Sequence, residues 1–362
     1  MSVKRTTGIV LIALASIVLG IFFNTYLISV PYDLFYSLTD RYLISIAVML
    51  MVLYLGFSPY FLFGEKVNVL RKKRIAYYGY LILITLCLLF LKNRFFGETY
   101  INGLILSFIY PVAFLDLNDN FSKETGPVHN TLNFLILMFI CWAASGYKMM
   151  LFTSALFIFA ELYCIRQKDV SNKKSWYYNI IALIFLLISS FVAIMWFYEG
   201  FFTKRIVGFF NTNVVQEYVA LHNLLKTSEL FRFVPTSDFA EHINSLSACP
   251  YSNILSCFGI IPTACIMFLQ GVMIVFMFLN AKEHKNQTRR FFSTVVTMII
   301  GLHFVLSIMS SFSLIPMVEY GAPLITMNGT PFSIIPLTIY LGNEILEYNV
   351  IEKLRSKLRK NH

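Results

Sequence analysis

Residues 8–30 read GIVLIALASIVLGIFFNTYLISV, an apolar run with no charged residue that follows two cations, Lys4 and Arg5. A helix rises about 1.5 Å per residue, so a run of this length covers the roughly 30 Å hydrocarbon core of a bilayer. The run is too long for the apolar part of a signal peptide, and no small-residue cleavage pattern follows it. It therefore predicts an uncleaved first membrane span.

The composition of the whole chain extends this prediction. Of its 362 residues, 57% are hydrophobic and 13% are charged, whereas a soluble domain has about 25% charged residues. The formal charge is +10, from 29 Lys and Arg against 19 Asp and Glu, but the cations lie in short loops between apolar runs. Because such loops stay on the cytoplasmic side of a membrane, the charge reflects orientation. An ordinary soluble enzyme is excluded, and no nucleic-acid partner is expected.

Ten apolar runs, each bounded by charged or turn-forming residues, predict an all-α polytopic membrane protein with about ten transmembrane helices. The runs lie at about 8–30, 42–63, 75–92, 102–115, 131–144, 147–165, 178–199, 258–280, 291–315 and 331–348. Strongly cationic segments occur at 66–74, 166–174 and 282–290 and in the basic tail 349–362. Even numbers of runs separate these segments, so both termini are expected to be cytoplasmic. This parity requires two spans within 131–165.

The same parity places the longest polar stretch, residues 200–257, and the connection 316–330 outside the cytoplasm. Chemistry is expected in these two segments of a single membrane domain, 1–362. No P-loop, GxGxxG turn, HExxH helix or GxSxG elbow is present, so an ATP-driven or hydrolase function has no support. Cys249 and Cys257 fall in the outer loop, where they form either a disulfide in an oxidising compartment or free thiols beside a helix end.

The outer connection carries a motif with a known counterpart. Residues 313–331 read SLIPMVEYGAPLITMNGTP, and two of the prolines are seven positions apart. This stretch resembles, without gaps, the last outer loop GLLPxTGxxLPFxSYGGSS of the SEDS family, the FtsW/RodA group of peptidoglycan polymerases. Thr326 stands where the family usually has Ser, and Gly329 and Thr330 fall on a family Gly and the hydroxyl residue after it.

Three further elements resemble the same family in the same order. Residues 205–211, RIVGFFN, are similar to the RxxxFxNP start of its largest outer loop, and residues 237–239, SDF, to its TDF element. Residues 258–261, FGII, are similar to the FGFIG start of the next span. The chain departs from the family in three ways. It lacks the Gly-rich stretch before TDF, and Ser256 and Cys257 replace the usual paired glutamates. It also has an insertion within 240–257, which is a candidate lid.

The resemblance implies a peptidoglycan glycosyltransferase that polymerises lipid II at the outer face of the bacterial cytoplasmic (inner) membrane during cell division or elongation. It also implies a class B penicillin-binding protein, a single-span transpeptidase, as partner. Asp238 matches the proposed catalytic Asp of the family and would be the general base. The expected substrate-binding residues are Arg205, Arg232, Thr326, Gly329 and Thr330.

The chemistry of such a site is simple enough to compare with the residues present. Joining two lipid-linked sugars needs a base for the acceptor hydroxyl and positive charge for the departing diphosphate. Asp238 suits the base, and with Glu241 it equally suits the capping box of a helix. Arg205 suits either a bidentate diphosphate contact or a snorkelling interface anchor. A divalent cation would fit at the diphosphate, but no cluster of metal ligands indicates one.

Two ionisable residues lie inside predicted spans. His303 is expected to satisfy an interhelical hydrogen bond in preference to relaying protons. Glu344 is a functional candidate by its position in the last run, but it lies one turn from the cytoplasmic end and is expected to snorkel to the interface.

Two other functions compete with the enzyme. A non-catalytic scaffold would keep the fold and the partner contacts, is favoured by the missing Gly-rich stretch and glutamates, and makes Asp238 dispensable. A precursor flippase or transporter would show inverted repeats or paired broken helices with charge at mid-membrane, and the sequence shows neither.

Overall fold

The computed structural model describes residues 3–27, 79, 82, 83, 86, 127–145, 147–167, 173–197, 201–211, 216–233, 249–316, 321–325, 333, 334 and 336–344. All regular structure within these residues is helical, which confirms the predicted all-α class. The predicted spans 42–63 and 102–115, most of 75–92, and the tail 349–362 lie outside the described residues.

The helices follow the predicted runs closely. In the described part of the chain they are α1 (Val3–Leu27), α2 (Pro127–Ser145), α3 (Tyr147–Gln167), α4 (Lys173–Phe197), α5 (Phe201–Phe210), α6 (Gln216–Thr227), α7 (Pro250–Phe258), α8 (Ile260–Glu283) and α9 (Gln287–Ser311), and residues 336–344 are also helical. Four stretches within these are long and apolar enough to cross a membrane: Lys4–Phe22, Met149–Arg166, Ile260–Glu283 and Arg289–Ser311.

Helices α2 and α3 form an antiparallel pair, which settles the predicted division of 131–165. The Phe134 and Phe157 rings lie 5.4 Å apart between centroids. One to two turns further along, the Thr153 hydroxyl contacts Cys141 Sγ at 3.2 Å. Helix α2 ends at Ser145 and α3 begins at Tyr147, so 131–165 contains two separate helices, as predicted.

Helix α1 packs antiparallel to α8. Near the start of α1, Arg5 forms an ion pair with Glu283 at the end of α8, and Asn280 Nδ2 donates to Thr6 Oγ1 at 3.2 Å. The amino terminus and the 282–290 turn therefore lie at one end of the bundle, as the predicted parity requires. We call this the inner end, and the opposite end, which contains the start of α8 and the end of α9, the outer end.

Many large apolar side chains on the long helices are exposed, as expected of helices that contact lipid. Large apolar side chains on α4 and α8 stand out from the bundle, among them Phe185 and Phe268 at 70% exposure each. Between α3, α8 and α9 the core is built from buried Leu, Ile, Phe and Met side chains. An all-round apolar helix with one buried face is the pattern expected of a membrane span.

Candidate functional site

A sharp junction between α7 and α8 forms part of the outer end. Gly259 has φ +87° and ψ −175° there, a conformation essentially restricted to glycine. The first N–H groups of α8 are capped by main chain, since Ile260 N donates to Glu229 O at 2.9 Å. Ile261 N likewise donates to Leu230 O at 3.1 Å. A Cβ atom on Gly259 would lie 2.8 Å from Leu230 O, so this close approach explains the glycine of the predicted motif.

The segment that caps α8 also holds Arg232, one of the predicted substrate-binding residues. Arg232 N donates to Phe258 O at 3.1 Å, and its side chain is partly exposed. The neighbouring Phe233 ring packs edge-on against Phe258 at 5.8 Å. The main chain around Arg232 is thus fixed to the outer end of α8, while the guanidinium group retains access to the surface.

Helix α7 is a buried wedge at the outer end, since all nine of its residues are inaccessible. Tyr251 N donates to Ser311 Oγ at 3.1 Å, and the Ser252 hydroxyl donates to Ser311 O. The Tyr251 hydroxyl donates to Gln270 Oε1, and burial raises the pKa of Tyr251 well above its usual value, so the hydroxyl keeps its proton. Residues 249–257 are thus packed into the bundle in this structure, whereas 240–248 lie outside the described residues, so the role of the insertion stays a prediction.

No disulfide joins the two outer cysteines in the structure. Cys249 directly precedes α7 and Cys257 lies in its last turn, and both are buried. Cys249 Sγ donates to Ser310 O at 3.7 Å.

Residues 321–325 form a non-helical segment that is buried inside the bundle. Gly321 and Leu324 have positive φ values of 71° and 61°, and Ile325 N donates to Ala322 O at 3.3 Å in a turn. Side chains of the neighbouring helices satisfy the carbonyl groups. Gln270 Nε2 donates to Pro323 O at 2.5 Å.

The contact with Gln270 gives the depth of this segment. Gln270 lies ten residues after Ile260, which corresponds to about 15 Å below the outer end of α8 at 1.5 Å per residue. Non-helical backbone occurs at such a depth in a membrane only where protein buries it. The 321–325 segment is therefore re-entrant, and it forms the floor of the outer end.

His303 on α9 contacts both sides of the outer connection. Its Nε2 lies 3.1 Å from Gly321 O, and its Nδ1 lies 2.9 Å from Ser333 Oγ. The Ser307 hydroxyl, one turn further along α9, also donates to Gly321 O. The predicted hydrogen-bonding role of His303 is confirmed.

Helix α1 closes the segment from the other side. A Cβ atom on Gly20 would lie 2.5 Å from Ile325 O and 2.8 Å from Ile325 Cα, so the two main chains are in direct contact. The 321–325 segment thus lies among α1, α8 and α9, the three helices that meet at the outer end.

The fold is similar to that of one chain of a peptidoglycan synthase complex. The solved structure of that complex concerns the structural coordination of polymerization and crosslinking. The likeness has a TM-score of 0.64 at 14% sequence identity, and it covers 92% of this chain and 96% of that chain. No family model matches the chain, and no curated protein matches its sequence. At this identity the likeness establishes a shared fold.

Most of the predicted site residues fall outside what the structure describes within this shared fold. These are the predicted base Asp238 and the predicted substrate contacts Thr326, Gly329 and Thr330. Arg205 lies in α5, but its side chain is not among those described. Arg232 is placed at the outer end, so the convergence of the six residues on one site stays a prediction.

A buried carboxylate that the sequence analysis did not single out lies between α2, α3 and α4. Glu161 is fully buried, and its Oε1 accepts from Asn179 Nδ2 at 2.8 Å. Asn179 Oδ1 in turn accepts from the Thr131 hydroxyl at 2.5 Å. The available signal was a single acid in the apolar run 147–165 with polar amides in the neighbouring runs, a pattern typical of interhelical hydrogen bonds.

The prediction that Glu344 snorkels to the interface is wrong. Glu344 is fully buried, and its Oε1 lies 2.7 Å from His284 Nε2. Ser293 Oγ lies 3.2 Å from the same imidazole nitrogen and accepts from Asn343 Nδ2 at 2.7 Å. The turn between α8 and α9 folds over the end of the 336–344 helix, so the carboxylate has a buried partner and does not reach water.

The described residues contain no group of three or more His, Cys, Asp or Glu side chains that could hold a metal ion. In the described part of the outer end, the segment before α8 carries the cation Arg232 and the exposed carboxylate Glu229. A surface cation of this kind suits contact with an anionic group.

Proposed function

We propose that the chain is a glycosyltransferase that polymerises lipid II at the outer face of the bacterial cytoplasmic membrane, in cell division or elongation. The observation that carries this proposal is the shared fold over 92% of the chain with a component of a complex that couples polymerization to crosslinking. The matched motifs of the outer loop and of residues 313–331 support it independently.

In this proposal the hydroxyl oxygen of the acceptor sugar attacks the anomeric carbon of the donor sugar. Asp238 accepts the proton of that hydroxyl during the attack. The bond from that carbon to the diphosphate breaks, and the diphosphate leaves with the electron pair. Inversion at the carbon needs no protein nucleophile. Arg205 and Arg232 stabilise the negative charge of the leaving group, and Thr326, Gly329 and Thr330 contact the substrate.

The surroundings of Arg232 suit a lipid-linked diphosphate. Its neighbours Leu230, Phe231 and Phe233 expose 64%, 66% and 71% of their surfaces at the outer end of α8. A cation among exposed apolar side chains at the membrane boundary matches a ligand with an anionic head and an isoprenoid chain. A class B penicillin-binding protein is the proposed partner, since the similar chain belongs to a complex that also crosslinks.

The test is polymer formation from labelled lipid II by purified protein together with the candidate transpeptidase. Wild-type protein should form glycan chains, and Asp238→Ala should form none while its abundance and membrane insertion stay unchanged. Glu241→Ala, which removes a carboxylate three residues away on the same outer loop, is the matched control and should retain activity.

A non-catalytic scaffold is the second candidate, and one observation favours it. Ser256 and Cys257, which replace the paired glutamates of the family, are buried in α7, and the Ser256 hydroxyl donates to Asn253 O at 2.8 Å. This part of the loop therefore offers no carboxylate to a substrate. A wild-type protein that binds the transpeptidase but forms no polymer would establish the scaffold and contradict the enzyme.

A further inference from the structure

The connection between α9 and the 336–344 helix is held at two points by one side chain. His303 contacts Gly321 before the stretch 326–332 and Ser333 after it, at 3.1 and 2.9 Å. We infer that His303 is a positioning residue that sets the distance between the two ends of this stretch, which carries Thr326, Gly329 and Thr330. The inference rests on the proposed function, in which these three residues contact the substrate.

The atoms involved define what His303 donates and accepts. A carbonyl oxygen can only accept, so the contact with Gly321 O requires the hydrogen on Nε2. A neutral imidazole then has a lone pair on Nδ1, which accepts the hydroxyl hydrogen of Ser333. One uncharged ring therefore satisfies both contacts and joins two points that are twelve residues apart in the chain.

The surroundings make this double contact costly to lose. His303 and Gly321 are inaccessible, and Ser333 is 1% exposed. His303 lies eight residues before the end of α9, which is about 12 Å below the outer end. Water cannot replace a lost partner at this depth, so a freed carbonyl at Gly321 would favour movement of the segment.

Gly321 O has a second donor besides His303, whereas the contact of Ser333 with the connection is made through His303. The Ser307 hydroxyl also donates to Gly321 O, so this end keeps one hydrogen bond when the imidazole is removed. Because the imidazole is what joins the two ends, its removal uncouples the Ser333 end from the Gly321 end. Joining two points of a chain lowers the conformational entropy of the chain between them. The imidazole is therefore expected to favour one arrangement of Thr326, Gly329 and Thr330.

The test compares His303→Gln, His303→Ala and a matched control on the same helix. A glutamine amide can donate to a carbonyl and accept from a hydroxyl, so His303→Gln should behave as wild type. His303→Ala should raise KM for lipid II about tenfold, equivalent to about 1.4 kcal/mol, with kcat little changed. The control Thr297→Val removes a hydroxyl that donates only within α9, to Ser293 O at 2.7 Å, and should change neither constant.

A second readout does not depend on activity. Ala322 is inaccessible, so a cysteine placed there should resist a maleimide in the wild-type background and react when the segment is released. The signal is measured above that of the same protein without the added cysteine, with the exposed Cys265 replaced by Ser. His303→Ala should increase labelling of Ala322→Cys, and His303→Gln should not.

Three results would overturn the inference: equal labelling in His303→Ala and wild type, an equal loss in His303→Gln and His303→Ala, or a fall in kcat with KM unchanged. If His303→Ala does not fold, Ser333→Ala removes only the second contact, and it should raise labelling by a smaller amount. Failure of wild-type protein to form polymer would contradict the proposed function, whereas the labelling would still decide whether His303 fixes the segment.

Discussion

At the outer end of the bundle, Gln270, His303 and Ser307 bind main-chain carbonyls of residues 321–325, whereas at the inner end His284 and Glu344 bind one another. The outer segment is non-helical and cannot satisfy its own carbonyl groups. Three side chains of α8 and α9 supply the missing donors. The polar side chains at the outer end therefore fix the shape of a non-helical segment.

The inner end is formed mainly by regular helices, and in the turn between α8 and α9 Arg290 binds Lys282 O. Glu161 lies near this end, since Tyr163 two residues later packs against Phe291 at the start of α9. Glu161 with Asn179, and His284 with Glu344, form contacts between helices. Such contacts stabilise helix association in a membrane by about 0.6 kcal/mol on average. We therefore expect substitutions at the outer end to lower activity by displacing the candidate site. Substitutions at the inner end should lower only the stability of the fold.

The largest effect is expected at the junction of α7 and α8. Gly259→Ala adds a Cβ atom 2.8 to 2.9 Å from the main chain of Leu230 and Glu229, and it forces a conformation that only glycine adopts readily. Strain and overpacking together should lower the free energy of unfolding by about 3 kcal/mol. Thermal unfolding of the detergent-solubilised protein measures this loss.

Gly271→Ala is the control for that prediction. Gly271 lies in the same long helix with no atom within 4 Å of an added Cβ, so alanine should stabilise α8 by up to about 1 kcal/mol. If the two alanines had the same effect, the close approach at the junction would not matter to the fold.

The next largest effect is expected in α1, where a substitution at the outer end is compared with one at the inner end. Gly20→Ala places a Cβ atom 2.5 Å from Ile325 O and should displace the 321–325 segment, at a cost of about 1–3 kcal/mol and a clear loss of polymer formation. Gly8→Ala at the inner end meets only the edge of the Phe276 ring, at 3.1 Å, which can rotate. Its activity per folded molecule should match that of wild type, and equal losses in both variants would break the distinction between the ends.

The smallest effect is expected at the inner end itself. His284→Ala leaves the Glu344 carboxylate without its 2.7 Å partner and should lower stability by about 1 kcal/mol. Combining it with Glu344→Gln should recover part of this loss, because a buried amide is less costly to leave without its partner than a buried carboxyl group. A double-mutant cycle on thermal stability measures the coupling, and lipid II polymerisation per folded molecule should stay constant across it. A loss of activity at constant stability would contradict the structural role.

The helices could be predicted from the sequence because each apolar run is long and its breaks are marked. Helices α2 and α3 divide 131–165 as the parity required, and the runs around α1, α8 and α9 became helices with nearly the expected bounds. The re-entrant segment could not be predicted, since its stability depends on donors from two distant helices. The prediction for Glu344 was wrong because its burial also depends on a distant partner, His284, which lies 60 residues away in sequence.

The candidate site was only partly accessible to sequence reasoning. The hydrogen-bonding role of His303 was anticipated, because a histidine inside a span usually satisfies an interhelical hydrogen bond. Gly259 was noted only through the family resemblance of residues 258–261, and its conformation was not predicted. The burial of α7 was not anticipated. Its nine residues include polar side chains typical of a loop, and only their contacts with Ser311 and Gln270 make it a wedge.

The most direct test of the account compares two carboxylates, one in the outer loop and one buried at the inner end. Lipid II polymerisation per folded molecule should be abolished in Asp238→Asn and should remain near the wild-type level in Glu161→Gln, which should instead lower thermal stability. Polymer formation by Asp238→Asn at the wild-type rate, or an equal loss of activity in Glu161→Gln, would contradict it.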